Sequence, residues 1–321
     1  MPAAPLAVLV WIVPTCFGVG EPVQAAVSST QSAPVASPAT ATQAGSRSVR
    51  FRPGVLIDYR ERQVEVDAAL IPHPAPLEVF ACTPDTKEHE TVLRVHARAE
   101  DIYAALGLIG VLPGRPVRWD RATERFSPPT GDRVDVLVRM DPGGESEPVP
   151  AAHLLRSMEP DRPVPDVQWV FAGSSRYEDG MLAADVEGVV VALVNFESAL
   201  LALPDSYSDD NRELWLGQDA EAMPDVERRV TLLLRPAAMR LAVAADDRLT
   251  ADGKPVGPKA LLETIRHRVR QDPWLRVRLT AATGISPDGL EKWVKALVAA
   301  GVQRSRISVA RGPTSRPSRA E

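Results

Sequence analysis

The sequence has only two cysteines, Cys16 and Cys82. If an amino-terminal segment that includes Cys16 is removed on export, Cys82 remains alone and no disulfide can form within the chain. Two cysteines are also too few for a zinc site built on cysteine pairs. The sequence therefore excludes a disulfide framework and a cysteine-based zinc site.

The sequence has no excess of positive charge. It carries 37 basic and 42 acidic side chains, which gives a net charge of −5. A nucleic-acid binder usually presents a strongly basic face, so we expect no nucleic-acid partner. The sequence also lacks a glycine-rich phosphate loop, a serine-nucleophile elbow and a paired-histidine zinc motif. We therefore expect no cofactor and no metal.

The amino-terminal segment is apolar and free of charge over residues 6–19, with Pro14 inside it. Small residues follow at positions 25 and 26, as a signal peptidase requires. The run is too short to span a bilayer comfortably. It predicts a cleavable signal peptide over residues 1–26 and a periplasmic or other extracytoplasmic location. The alternative is an uncleaved inner-membrane anchor over residues 6–20.

Two segments have the composition of flexible chain. Residues 27–48 consist largely of Ser, Thr, Ala, Pro, Gln and Gly, and residues 312–321 form a short polar tail. Such segments bury too little apolar surface to offset the entropy of ordering the chain. We expect a linker over 27–48 and a disordered tail over 312–321.

Residues 49–236 show mainly the two-residue alternation of half-buried strands. Segments 63–67, 134–138 and 229–235 predict strands, and apolar residues at helical spacing predict a helix that ends near Gly110. Strands outnumber helices and the connections are short. The pattern predicts an α+β domain with a mostly antiparallel sheet.

Over residues 237–311 the pattern changes from mainly strands to alternating strands and helices. A strand leads to the hairpin signal Asp252-Gly253, and Pro258 opens a helix. A strand over 276–280 follows, then a helix with Ser286 as its N-cap, and a last strand over 306–310. The order hairpin, helix, strand, helix, strand predicts a small two-layer α/β sandwich as a second domain.

Three segments of the first domain resemble the YdjY-like domain of exported bacterial proteins. They are PLEVFACTPDTKEHETVL (residues 76–93), IYAALGLIGVLPGRP (102–116) and WVFAGS (169–174). The family has no settled activity. The resemblance implies an exported domain and supplies neither a mechanism nor a site.

The second domain resembles the periplasmic domain of ExbD and TolR. The likeness rests on the layout of residues 239–310, on LTADGKPV before the first helix and on AAG after the second. It implies a module that docks or pairs, on itself or on cell-wall material. The family's membrane helix is missing just upstream, and Ala281-Ala282 stands where Ala-Asp is common, so the resemblance does not imply proton-driven work.

The sharpest cluster of reactive residue types is Cys82, Lys87, His89 and Glu90. A cysteine beside a histidine can act as a nucleophile, and a thiolate, an imidazole and a carboxylate can together hold a metal. The third reading is structural: Cys82 acts as a small buried hydrophobe at a strand end, below a polar loop. A second carboxylate pair, Asp185 and Glu187, is spaced to share one face of a strand.

We expect an exported, non-catalytic binding or scaffold protein of the envelope, with the cluster at Cys82, Lys87, His89 and Glu90 as a binding site. Its C-terminal module is expected to dock or dimerise. The expected partners are an envelope protein, a cell-wall component or a second copy of the chain. The alternatives are a thiol-dependent envelope enzyme that uses Cys82 and His89, and a metal-binding module.

Overall fold

The computed structural model describes residues 48–73, 75–159, 164, 168–204, 216–244, 246, 248–282 and 285–311. These residues belong to one compact unit, Ser46–Glu321. The expected signal peptide and tail, and all but the last residue of the expected linker, lie outside the described residues. No helix in the described ranges is long and apolar enough to cross a membrane.

The first module contains seventeen strands and two helices within the described residues. The strands are β1 (Val49–Arg52), β2 (Val55–Asp58), β3 (Gln63–Leu70), β4 (Val79–Cys82), β5 (Leu93–Val95), β6 (Pro113–Arg115), β7 (Arg118–Asp120), β8 (Arg125–Ser127), β9 (Thr130–Gly131), β10 (Arg133–Arg139), β11 (Val149–Pro150), β12 (Leu155–Ser157), β13 (Trp169–Phe171), β14 (Val189–Ala192), β15 (Leu201–Ala202), β16 (Leu216–Gln218) and β17 (Arg228–Pro236). The helices are α1 (Ala99–Leu108) and α2 (Ala183–Glu187).

The C-terminal module contains five strands and two helices in the described ranges. They are β18 (Met239–Val243), β19 (Leu249–Ala251), β20 (Lys254–Val256), α3 (Pro258–Gln271), β21 (Val277–Ala281), α4 (Pro287–Ala299) and β22 (Ile307–Arg311).

The main sheet of the first module closes on itself. Its strands run in the order β3-β17-β10-β13-β15-β14-β4-β5, and β5 pairs back onto β3, where Ala68 lies opposite Val95. Eight strands thus form a closed barrel, and β1, β2 and β11 are three additional strands. The predicted fold class, an α+β fold with a mostly antiparallel sheet followed by a small two-layer sandwich, is therefore wrong.

The barrel is held together by alternating apolar residues. On β3, Val64, Val66 and Ala68 enter the main core, and on β13 Trp169 and Phe171 do so. The sequence pattern predicted the strand over 229–235, and β17 confirms it. The alternation fixes which face of each strand is buried, but it does not determine which strands pair. For this reason the closure of the sheet was missed.

Asp185 lies in α2, so the prediction that it shares a strand face with Glu187 is wrong. Its carboxylate accepts hydrogen bonds from the backbone N–H groups of Ala99 (2.6 Å) and Glu100 (3.3 Å) at the start of α1. The N-cap residue of α1, Arg98, makes no capping bond with its own side chain. Asp185 therefore caps α1 from a distant point in the chain.

The C-terminal sheet has the order β20-β19-β18-β21-β22. The pairs β18–β21 and β21–β22 are parallel, and the hairpin strands are antiparallel. Helices α3 and α4 bury apolar residues such as Ile265 and Leu297 against one face of this sheet. Ser286 caps α4, because its Oγ accepts a hydrogen bond from Gly289 N–H at 3.1 Å, as the sequence predicted.

The two modules meet at a joint formed by the β2–β3 turn. The indole N–H of Trp274 donates to the carbonyl oxygen of Arg60 at 2.8 Å. The Arg276 guanidinium donates to the side-chain carboxylate of Glu61 at 2.8 Å. On the barrel wall, Asp135 accepts a hydrogen bond from the backbone N–H of Ala238 at 3.1 Å. The C-terminal module is therefore fixed to the barrel by several polar contacts as well as by the chain.

Candidate functional site

Cys82 is the last residue of β4 and is completely buried. It belongs to a small cluster separate from the main barrel core. The other buried members are Val79, Ala172, Val189, Ala192, Ala199 and Ala202. Cys82 is therefore a buried residue at a strand end within a cluster of small apolar side chains, as the structural interpretation of this cysteine predicted.

Burial raises the pKa of the Cys82 thiol, because removal of water disfavours the thiolate. Hydrogen bonds from the side chains of Thr91 and Thr86 act in the opposite direction without reversing the shift. A nucleophilic cysteine requires the opposite direction, a pKa lowered toward neutrality. The environment of Cys82 therefore favours a neutral, unreactive thiol.

Lys87 and Glu90 come together above this buried cluster. The ammonium forms ion pairs with the carboxylates of Glu90 and of Glu78, the latter at 3.4 Å, and lies 4.8 Å from the ring centroid of Phe196. Burial acts to lower the pKa of Lys87, but its hydrogen bond and attraction to Glu90, with Glu78 beside it, raise the pKa overall. Lys87 thus holds the loop after β4 in place by charge.

His89 lies outside this arrangement. Its side chain is 73% exposed, and its closest described carboxylate contact is from Nε2 to Glu90 at 3.9 Å. The imidazole is thus on the surface, whereas the thiol of Cys82 is completely buried. The described residues contain no group of three or more His, Cys, Asp or Glu side chains placed to hold a metal ion. The segment therefore lacks the geometry of a thiol–imidazole pair.

A cleft that the sequence did not predict lies where the barrel meets the C-terminal module. It has a volume of about 380 Å³. Six charged side chains line it: Arg62, Asp132, Arg133, Asp252, Arg268 and Asp272. They come from four separate segments of the chain, so no local sequence motif indicates them. The Asp252-Gly253 turn was visible in the sequence, where it indicated a hairpin.

The YdjY domain family model matches residues 55–235, which is more than half of the chain. The chain belongs to the YdjY family. The YdjY match covers β2 to β16, both helices of the first module, the Cys82 segment and nearly all of β17. No curated protein matches the chain significantly.

An apolar groove lies in the C-terminal module, beyond the matched YdjY range. Its volume is about 710 Å³. Its floor includes Ala242, Thr250, Pro255 and Thr280, which face each other across four neighbouring strands. Among the described lining residues, only Arg248 is charged, and it pairs with Asp246 at 2.6 Å. The groove can accept apolar groups and offers little for a charged ligand.

Proposed function

We propose that this YdjY-family chain is a non-catalytic binding or scaffold protein of the bacterial envelope. In this proposal the C-terminal module docks a polypeptide of a partner envelope protein in its apolar groove. The groove is the observation that carries the proposal. Its apolar walls suit the side chains of a protein segment better than a polar metabolite, because burial of apolar surface drives such association.

The proposal includes two predictions from the sequence, one about cellular location and one about family resemblance. One is export by a signal peptide over residues 1–26. The other is the ExbD/TolR-like character of the C-terminal module, which was inferred from the sequence alone. Cell fractionation and the intact mass of the mature chain test export. A cytoplasmic chain with its first residues retained would contradict it.

The surroundings of Cys82 and His89 disfavour the thiol-dependent enzyme and the metal-binding module. Cys82 is buried with a raised pKa, and the His89 side chain is mostly exposed. Neither alternative has a geometric observation in its favour among the described residues.

Docking in the groove can be tested by photo-crosslinking from Thr250 in bacterial cells that make the full chain. Ala242→Arg places a long charged side chain at the floor of the groove, at an exposed position. We expect the crosslinked partner to be lost in this variant. Ala122→Arg, on an exposed turn of the first module, is the matched control and should retain the partner.

Two results would refute docking in the groove. One is the absence of any crosslinked product, and the other is a product that survives Ala242→Arg. Light scattering of the purified chain over a range of concentrations separates a partner protein from a second copy of the chain. If the chain self-associates and Ala242→Arg abolishes the association, the occupant of the groove is a second copy of the chain and not a partner protein.

A further inference from the structure

We propose that the cleft between the barrel and the C-terminal module binds a small zwitterion with one free ammonium and one free carboxylate, namely an α-amino acid or a dipeptide. The cleft shares no lining residue with the apolar groove. The proposal therefore stands independently of the docking function.

The cleft has the size and the charge balance for such a ligand. Its volume of about 380 Å³ lies in the usual range of small-molecule sites. Three arginines and three aspartates line it, so its walls are neutral in sum but strongly polar. A ligand with a single charge would leave one sign of the wall uncompensated. A zwitterion can satisfy both signs at once.

The two groups best placed to take the ligand are neighbours at the start of β10. The guanidinium of Arg133 donates from Nη1 to the side-chain oxygen of Gln168 at 2.8 Å. The carboxylate of Asp132 accepts from the backbone N–H of Leu112 at 2.9 Å. Within the described part of the chain neither group has an ion-pair partner. Each is oriented by a neutral hydrogen bond and retains further capacity for a charged one.

The other four charged lining residues form two ion pairs. Arg62 donates to Asp272 at 2.8 Å, which links the β2–β3 turn to the end of α3. Arg268 lies 3.5 Å from Asp252, and both side chains are more than 40% exposed. A pair this exposed contributes little to stability, so it can reorient toward a ligand at small cost. The first pair keeps the wall in place and the second can adapt.

The walls are preorganised because the joint holds both modules. Trp274 and Arg276 bond to the β2–β3 turn, and Asp135 bonds to the connection between β17 and β18. The same turn and the same connection contribute residues to the cleft. A site with fixed walls loses less entropy on binding than one that must first be ordered.

Calorimetric titration of the full chain with L-alanine and with L-alanyl-L-alanine tests the proposal. Both probes carry the two charges but no charged side chain. We expect saturable binding of at least one of them. N-acetylalanine lacks the ammonium and alaninamide lacks the carboxylate. Each should bind at least about tenfold more weakly than L-alanine, because each loses a charge-assisted hydrogen bond. Tighter binding of L-alanine identifies an amino-acid site, and tighter binding of the dipeptide identifies a peptide site.

Variants assign the binding to the cleft. Arg133→Gln and Asp132→Asn should each weaken the zwitterion about tenfold or more. Arg118→Gln, which removes an exposed guanidinium on β7, should leave the affinity unchanged. If Arg133→Gln fails to fold, Arg268→Gln provides a second test from the C-terminal module. The proposal is overturned if neither probe binds, if the blocked derivatives bind equally well, or if the variants at positions 132 and 133 bind like the unmodified chain.

Discussion

The reactivity of Cys82 separates a structural thiol from a catalytic one. A Cys16→Ser chain carries Cys82 as its single thiol. An ordinary cysteine with a pKa of about 8.5 is about 3% thiolate at pH 7. Burial raises the pKa of Cys82, so its thiolate fraction at pH 7 is smaller than that of an ordinary cysteine. The first effect on alkylation is therefore a reduction in rate.

The second effect is the limited access of a reagent to the buried thiol. The side chain of Cys82 is completely buried at the end of a barrel strand, so a reagent must wait for local opening. Each ~1.4 kcal/mol of opening free energy slows the reaction about tenfold. If opening β4 requires about 5 kcal/mol, the lower end of typical domain stabilities, the reaction slows by roughly 10³–10⁴.

Iodoacetamide kinetics in buffer and in concentrated urea measure this ratio directly. We expect the folded chain to react at least a hundredfold more slowly, with a rate that rises continuously as the pH increases through neutrality. An exposed thiol introduced by Ser127→Cys, in a chain without Cys16 and Cys82, is the control and should react at the ordinary rate. A native rate close to the unfolded rate, with a plateau at or below neutral pH, would refute the structural assignment and revive the thiol enzyme.

Three further predictions concern stability and are measured by urea unfolding. Lys87→Met should lower the unfolding free energy by about 1–2 kcal/mol, with Lys87→Arg close to the original value. The folded state raises the pKa of Lys87. The stabilisation that Lys87 provides is therefore complete below the pKa of the unfolded state, about 10.4, and is lost as the pH rises through the pKa of the folded state. The Met variant should lack this loss of stability at alkaline pH. Asp185→Ala should cost about 1 kcal/mol through loss of the α1 cap, and Asp185→Asn less; equal stability of all three chains would contradict the capping role. Glu61→Gln leaves Arg276, only 8% exposed, without its carboxylate and should cost about 1–2 kcal/mol, whereas an unchanged midpoint would show that the joint does not depend on this pair.

The local elements were predictable because they depend on neighbouring residues. The alternation over 229–235 predicted β17, and Ser286 with Pro287 predicted the start of α4. The closure of the barrel was not predictable in this way, because it depends on β3 pairing with both β17 and β5.

The candidate site at Cys82 shows why adjacency in sequence misleads. Glu88–Glu90 forms a 3-10 turn, which has three residues per turn, so successive side chains point about 120° apart. Glu90 consequently reaches Lys87, and His89 points into solvent. These residues suggest a reactive cluster because they are close in sequence. The geometry of one short turn places their side chains apart.

The cleft shows the opposite case, in which residues far apart in sequence converge. Its walls come from both modules, so any ligand that binds there binds the docked arrangement and not the separated one. By linkage, such a ligand stabilises the joint by a free energy that grows with the logarithm of one plus its free concentration divided by its dissociation constant. The same linkage requires that a substitution of Trp274 or Arg276 that loosens the joint also lowers the affinity of the cleft for the ligand. Neither residue lines the cleft. The joint and the cleft are therefore energetically one unit, and the polar contacts of the β2–β3 turn serve binding as well as stability.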